Sequence, residues 1–163
     1  MRSPIEVGMG EAVVSENNEA MFVTFVGSCV ALCLHDRLSK IGGMAHIMLP
    51  QRHQDKKIPD PKNVGKYADV AIEILLQIMS AHGAKVNRIK AKMAGGAQIF
   101  SNEKGNDSFN IGNRNIESVK NILKRKGIPL IGEEVGMNHG RWVQFDVHTG
   151  EVLVKAQKRE IKL

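Results

Sequence analysis

Cys29, His46 and Thr24 are the residues whose types and spacing could do chemistry. In Thr24-Phe-Val-Gly-Ser-Cys29, the small pair Gly27-Ser28 makes a sharp approach to a thiol. Such a bend can expose the sulfur together with nearby backbone N–H groups, as a nucleophile with an oxyanion hole requires. A free cysteine has a pKa near ~8.5, so little of it is thiolate at neutral pH. A neighbouring imidazole can lower that value, protonate a leaving amine and then activate water. His46, in Gly42-Gly-Met-Ala-His-Ile-Met-Leu49, is the candidate base, and Thr24 could bond its other ring nitrogen and fix the tautomer.

Strand parity brings these groups together. The apolar runs Cys29 to His35 and Gly42 to Leu49 flank the polar segment Asp36 to Lys40 and predict an antiparallel hairpin. In one register Cys29 lies directly across from His46. In the next compatible register Cys29 faces Met48 and His46 faces Ala31. Both place Cys29 and His46 on one face, whereas a one-residue slip separates them. A bland alternative stays open at this point. A cysteine in an apolar strand is usually a small buried hydrophobe, and a lone histidine is usually a surface or satisfied core group. A metal site from Cys29, Cys33 and His35 is weaker still. On a strand the two cysteines share a face but lie about 13 Å apart at ~3.3 Å per residue, too far to join or to hold one ion. No metal and no cofactor is expected.

The elements that must position these residues follow from the hydrophobic pattern. Met21 to Val26 reads as a strand ahead of the hairpin. Val70, Ala71, Ile74, Leu75, Ile78 and Met79 form one helical stripe, with Gly83 as a stop. Val86 to Met93 reads as a strand and Gly95-Gly96 as a tight bend. A second helix is predicted from about Asn113 to Lys126, with Ile116, Val119, Ile122 and Leu123 inward and Gly127 as its cap. Ile128 to Val135, Gly140 to Val147 and Glu151 to Ala156 read as strands, the last two joined by a turn at His148-Thr149-Gly150. Lys155 to Lys162 reads as a basic solvated tail. The predicted fold class is mixed α/β with a largely antiparallel sheet and two main helices, a single domain over residues 1–163. Gln51 to Gly65 is the longest loop, and Lys56, Lys57 and Lys62 in it could steer the protein toward acidic helices.

Composition excludes several classes. Hydrophobic residues at 42% and charged residues at 25% of 163 residues rule out a disordered or fibrous chain. Two cysteines cannot make a disulfide framework. No apolar run approaches the ~20 residues that span a bilayer, and Met1 to Glu19 lacks a signal-peptide core. A cytoplasmic protein with no membrane insertion is the expectation. The net charge of +6 permits acidic partners. Nucleic acid is not expected, because one Trp, one Tyr and five Phe supply no stacking motif.

Val26-Gly-Ser-Cys-Val-Ala-Leu-Cys-Leu34 and Gly42-Gly-Met-Ala-His-Ile-Met-Leu-Pro50 resemble the CheD family of chemoreceptor glutamine deamidases. The resemblance continues through Lys66-Tyr-Ala-Asp69, Ala91-Lys-Met-Ala-Gly-Gly-Ala97, Asn110-Ile-Gly-Asn-Arg-Asn115, Gly127-Ile-Pro-Leu130, Gly140-Arg141 and Thr149-Gly150. It implies hydrolysis of glutamine side chains to glutamate on the cytoplasmic helices of methyl-accepting chemotaxis receptors. It matches the family's nucleophile to Cys29, its general base to His46 and its threonine to Thr24, the last across a one-residue difference in spacing from some relatives. It also implies an α/β sandwich similar to the deamidase domain of cytotoxic necrotizing toxins. Some members bind a CheC-type phosphatase, so the alternative function is a non-catalytic chemotaxis adaptor acting through that partner. Where many relatives have Asp-Val-Gly-Gly, this chain has Glu134-Val-Gly-Met137. Methionine tolerates positive φ poorly, so this loop is expected to differ.

Overall fold

In the computed structural model, which describes residues 4–53, 57, 59–99 and 110–163, the chain alternates short strands with two helices. The order is β1 (Pro4–Glu6), β2 (Ala12–Ser15), β3 (Met21–Val26), β4 (Val30–Asp36), β5 (Ile41–Ile47), α1 (Ala68–Ala81), β6 (Ile89–Gly95), α2 (Ile111–Lys126), β7 (Leu130–Val135), β8 (Arg141–Asp146), β9 (Val152–Ala156) and β10 (Arg159–Lys162). One sheet runs β1-β3-β8-β9-β10 and the other β2-β5-β4-β6-β7. Among the described strands only the pairs β1/β3 and β6/β7 are parallel, so the fold is mixed α/β and largely antiparallel, as expected.

The continuous apolar run of β4 is explained by its place at the middle of its sheet, covered on both faces. Val30, Leu32 and Leu34 pack with the helices, while Ala31 and Cys33 pack toward the other sheet. The layers are therefore sheet, sheet and helices. Leu32 and Leu34 are fully buried, and a Leu→Ala truncation at such a position costs about 2–5 kcal/mol. At the far end of β4, Asp36 accepts Nε and Nη2 of Arg88, pinning the short helical turn Val86–Arg88 to the strand. Burial alone would raise the Asp36 carboxyl. The bonds from Arg88 and the Lys85 N–H win, and hold it well below the usual carboxylate range.

Both helices lie where the sequence placed them, but α1 is turned. Its buried residues are Ala68, Ala71, Ile72, Leu75, Leu76 and Met79, whereas Ile78 is 37% exposed. Val70 and Ile74 also stand off the fully buried face. The segment is apolar around most of its circumference, so periodicity fits two rotations and packing selects one. In α2 the four expected residues, Ile116, Val119, Ile122 and Leu123, are all buried. Asn110 caps its start by accepting the Asn113 N–H at 3.1 Å, and Gly127 ends it in the left-handed conformation.

Three strands are additions to the sequence reading. β1 and β2 are short and carry little alternation. Residues Arg159–Lys162, expected in a solvated tail, pair with β9 through a turn at Gln157, which has φ 55°. Their side chains are largely exposed, so only the backbone and Ile161 reveal the strand.

Met137 takes the glycine-like conformation in question, with φ 60°, and is 65% exposed. The left-handed backbone is thus carried by a residue with a side chain. A left-handed L-residue costs about 1–2 kcal/mol. The extra unfolded-state freedom of glycine returns about 0.4–1 kcal/mol of that. Met137→Gly is therefore expected to stabilise the fold by about 0.5–1 kcal/mol, a rise of roughly 1–4 °C in Tm. Thermal denaturation checks it, and a lower Tm would contradict the strain.

Candidate active site

Thr24 stands on the inward face of β3, and His46 on the face of β5 that meets it across the two sheets. Thr24 Oγ1 lies 2.8 Å from His46 Nδ1 and 2.7 Å from the carbonyl oxygen of Val7. The carbonyl can only accept, so the single hydroxyl proton goes to it. The ring nitrogen must then donate to the hydroxyl. The same Nδ1 is 3.4 Å from the Val7 oxygen, which also suits a proton there. Neutral His46 thus carries its proton on Nδ1 and leaves Nε2 free to accept one. The main chain of His46 is held as well. Its N–H donates to the Glu11 carbonyl at 2.9 Å and its carbonyl accepts from Gly10 at 3.0 Å.

The hairpin adopts the second of the two compatible registers. Ala31 pairs with His46, and Val30 with Ile47. Cys29, one residue ahead of β4, lies diagonal to His46 on the same face. Diagonal neighbours are about 7–8 Å apart at the backbone, within reach of an imidazole. The small Ala31 opposite the ring leaves that diagonal open. Cys33, one repeat further along β4, is buried among inter-sheet apolar residues, and burial pushes its thiol up.

The electrostatics differ from the simplest expectation. Burial raises the half-buried Cys29 thiol above its ordinary value. Burial lowers the His46 imidazole, partly offset by the Val7 carbonyl and by Glu11. Both shifts favour a neutral thiol beside a neutral imidazole over a standing thiolate–imidazolium pair. Deprotonation then belongs to the moment of attack, when Nε2 takes the proton.

Close backbone packing fixes the Cys29 bend from below. Gly96 N–H donates to the Cys29 carbonyl at 2.8 Å, and Ala97 N–H to the Gly27 carbonyl at 2.9 Å. Gly95 has φ 112°, and a Cβ there would stand 2.3 Å from the Cys29 oxygen. The tight bend expected at Gly95-Gly96 is therefore a platform that no side chain could enter. Buried Arg141 braces it, donating Nη1 to the Gly136 carbonyl at 2.9 Å and to the Gly95 carbonyl at 3.4 Å. Among the described residues the Cys29 N–H makes no hydrogen bond, so it is available as one oxyanion donor.

Sequence reasoning missed Asn115. It is fully buried on α2, and its Nδ2 donates to the carbonyls of Ser28 and Met48, both at 3.1 Å. One amide thus ties the Cys29 bend to the segment just beyond His46. The readable signal was a polar residue one helical turn before Val119, on the apolar stripe of α2. Asn115→Ala leaves both carbonyls unpaired in the interior, so a loss of about 1–3 kcal/mol per group is expected from denaturant titration. A change below experimental error would mean that water replaces the amide without cost.

Among the described residues, one small recess adjoins the Cys29 bend. A recess of about 20 Å³ beside Ser28 is lined by Ala97, Ile99 and Gly112. The long loop after Pro50 returns at Gly65, whose N–H donates to Gly10, next to the His46 anchor. Lys57 and Lys62 on it are exposed, and Lys56 lies outside the described residues.

A family model described as CheD chemotactic sensory transduction matches residues 48–156. The matched stretch begins just after His46, but pairwise similarity extends over nearly the whole chain. The chain is 40% identical over 158 residues to a probable chemoreceptor glutamine deamidase CheD of Caldanaerobacter subterraneus subsp. tengcongensis, covering 97% of this chain and 96% of that one. It is 42% identical over 149 residues to the chemoreceptor glutamine deamidase CheD of Thermotoga maritima, covering 91% and 89%. Among solved structures, the Bacillus licheniformis hypothetical protein YfiH matches with a TM-score of 0.48 and 13% identity, over 78% of this chain and 51% of that one.

Proposed function

The chain belongs to the CheD family of chemoreceptor glutamine deamidases, and from that premise we propose that it hydrolyses receptor glutamine side chains through a thioester on Cys29. His46 Nε2 takes the thiol proton as the sulfur attacks the carboxamide carbon. The developing oxyanion is held by the Cys29 N–H. Imidazolium then gives its proton to the leaving nitrogen, and ammonia departs. Water attacks the thioester with His46 again as base, releasing glutamate and the thiol. Thr24 accepts the hydrogen bond from Nδ1–H throughout and keeps the ring aimed.

The observation that carries this reading is the chain His46 Nδ1–Thr24 Oγ1–Val7 oxygen. It leaves a proton-accepting nitrogen on the face that bears Cys29. An adaptor with an idle thiol gives no reason to fix that tautomer between two sheets. The substrates in this proposal are methyl-accepting chemotaxis receptors, reached from the cytoplasm by one domain spanning the chain. No helix among the described residues is long and apolar enough to cross a membrane. The family resemblance adds a CheC-type phosphatase as a second proposed partner. The test is incubation with a purified receptor cytoplasmic fragment, followed by mass spectrometric mapping of amide-to-acid conversion. Conversion confined to helix-borne glutamines supports the proposal. No conversion by the folded protein would overturn it.

A further inference from the structure

A well-formed cavity lies away from Cys29, at the opposite end of β4, between residues of the two sheets. It measures about 270 Å³. Buried Phe145 and Cys33 and the exposed Ile131 are its apolar lining, His35 also lines it, and its cations are Arg37, Arg88, Lys90 and Lys92, with no carboxylate side chain among them. We propose that this cleft binds a small phosphate-bearing anion, a site separate from the glutamine chemistry at the other end of the strand.

The cations are placed rather than scattered. Alternation along β6 turns Lys90 and Lys92 to the same face, toward the other sheet. Lys92 is anchored there, donating Nζ to the Gly150 carbonyl at 2.9 Å and to the main-chain oxygen of Leu163 at 2.7 Å. Arg88 is held by Asp36 through Nε and Nη2, which leaves Nη1 uncommitted. Asp36 itself is fully buried and does not line the cleft. Arg37 and Lys90 make no ion pair among the described residues. A fixed guanidinium beside ammonium groups over a low-dielectric floor suits a phosphate, which takes several charge-assisted bonds at once. The volume lies just below the ~300–1,000 Å³ of sites for drug-sized ligands, so it admits a phosphate with one small apolar body.

The test titrates the whole protein with inorganic pyrophosphate, adenosine monophosphate and adenosine by calorimetry. Amide NMR shifts at Thr149, Gly150 and Lys92 locate the binding. Saturable one-to-one binding of adenosine monophosphate is expected, with perturbations confined to those residues. If pyrophosphate binds as well, a free phosphate group suffices. If it does not, the phosphate must be carried on an apolar body. Both results support the site. Arg37→Gln with Lys90→Gln should weaken binding at least about tenfold, the effect of losing charge-assisted bonds. The pair Lys124→Gln with Arg125→Gln removes the same charge from the end of α2 and should leave affinity unchanged. Neither pair touches Cys29, so its alkylation rate should match the parent and report an intact fold. Absence of saturable phosphate binding, equal affinity for adenosine, or equal weakening by both pairs would overturn the proposal.

Discussion

Replacing Cys29 by alanine is expected to abolish deamidation and leave the fold standing. The thiol sits half-buried at the edge of the inter-sheet cluster, so its removal takes one sulfur from a margin and opens no deep cavity. None of the bonds that hold the bend involves the side chain; they run from Gly96 and Ala97 to main-chain carbonyls. A stability loss of about 1 kcal/mol is the expected scale for such a site. Activity, in contrast, has no substitute nucleophile at this position. Cys33 is one repeat along the strand, enclosed, and its raised thiol stays protonated. The measurement is receptor-fragment deamidation beside a denaturation curve. Parent-like turnover in a folded Cys29→Ala protein would remove the covalent mechanism. Cys33→Ser serves as the companion and should keep turnover.

His46→Ala should lower turnover by about 10²–10⁴, the range for losing a general acid–base. Thr24→Val should do less, because the Val7 oxygen remains 3.4 Å from Nδ1 and can still favour the working tautomer. The pH dependence separates a resting neutral pair from a standing ion pair. Burial holds the His46 pKa below its ordinary 6.5, so the base is neutral and competent at pH 7. Turnover should fall only as pH drops through that lowered value. Alkylation of Cys29 by iodoacetamide should rise toward alkaline pH, through a thiol pKa that burial holds above its ordinary value. An ion pair would instead give fast alkylation with its limb in the acid range. That outcome, or His46→Ala with parent turnover, would show that another group activates the thiol.

The parts of this arrangement that the sequence revealed are those governed by short-range pattern. The apolar run of β4 and the polar break at Asp36 define the hairpin, and parity alone puts Cys29 and His46 on one face. The α2 stripe is equally legible because its other faces are polar. Reading failed where several backbone solutions fit the same residues. The face of α1 needed its neighbours to select a rotation, and β10 needed β9 to make a strand of charged residues. Asn115 was overlooked because its role depends on two carbonyls, one from Ser28 and one from Met48, that are distant in sequence. The raised thiol depends on burial, which no local motif reports.

Thr24 and His46 come from different sheets, and this has a bearing on biosynthesis. While the chain is being made, the β4–β5 hairpin can form from its own local contacts, bringing thiol and imidazole near each other. The threonine and the Val7 oxygen belong to the other sheet, in which β3 pairs with the nearby β1 and with β8, more than a hundred residues further along the chain. A nascent or half-folded protein therefore carries a cysteine whose base is not yet aimed. Aiming of the base is thus tied to the docking of one sheet on the other, not to the hairpin alone.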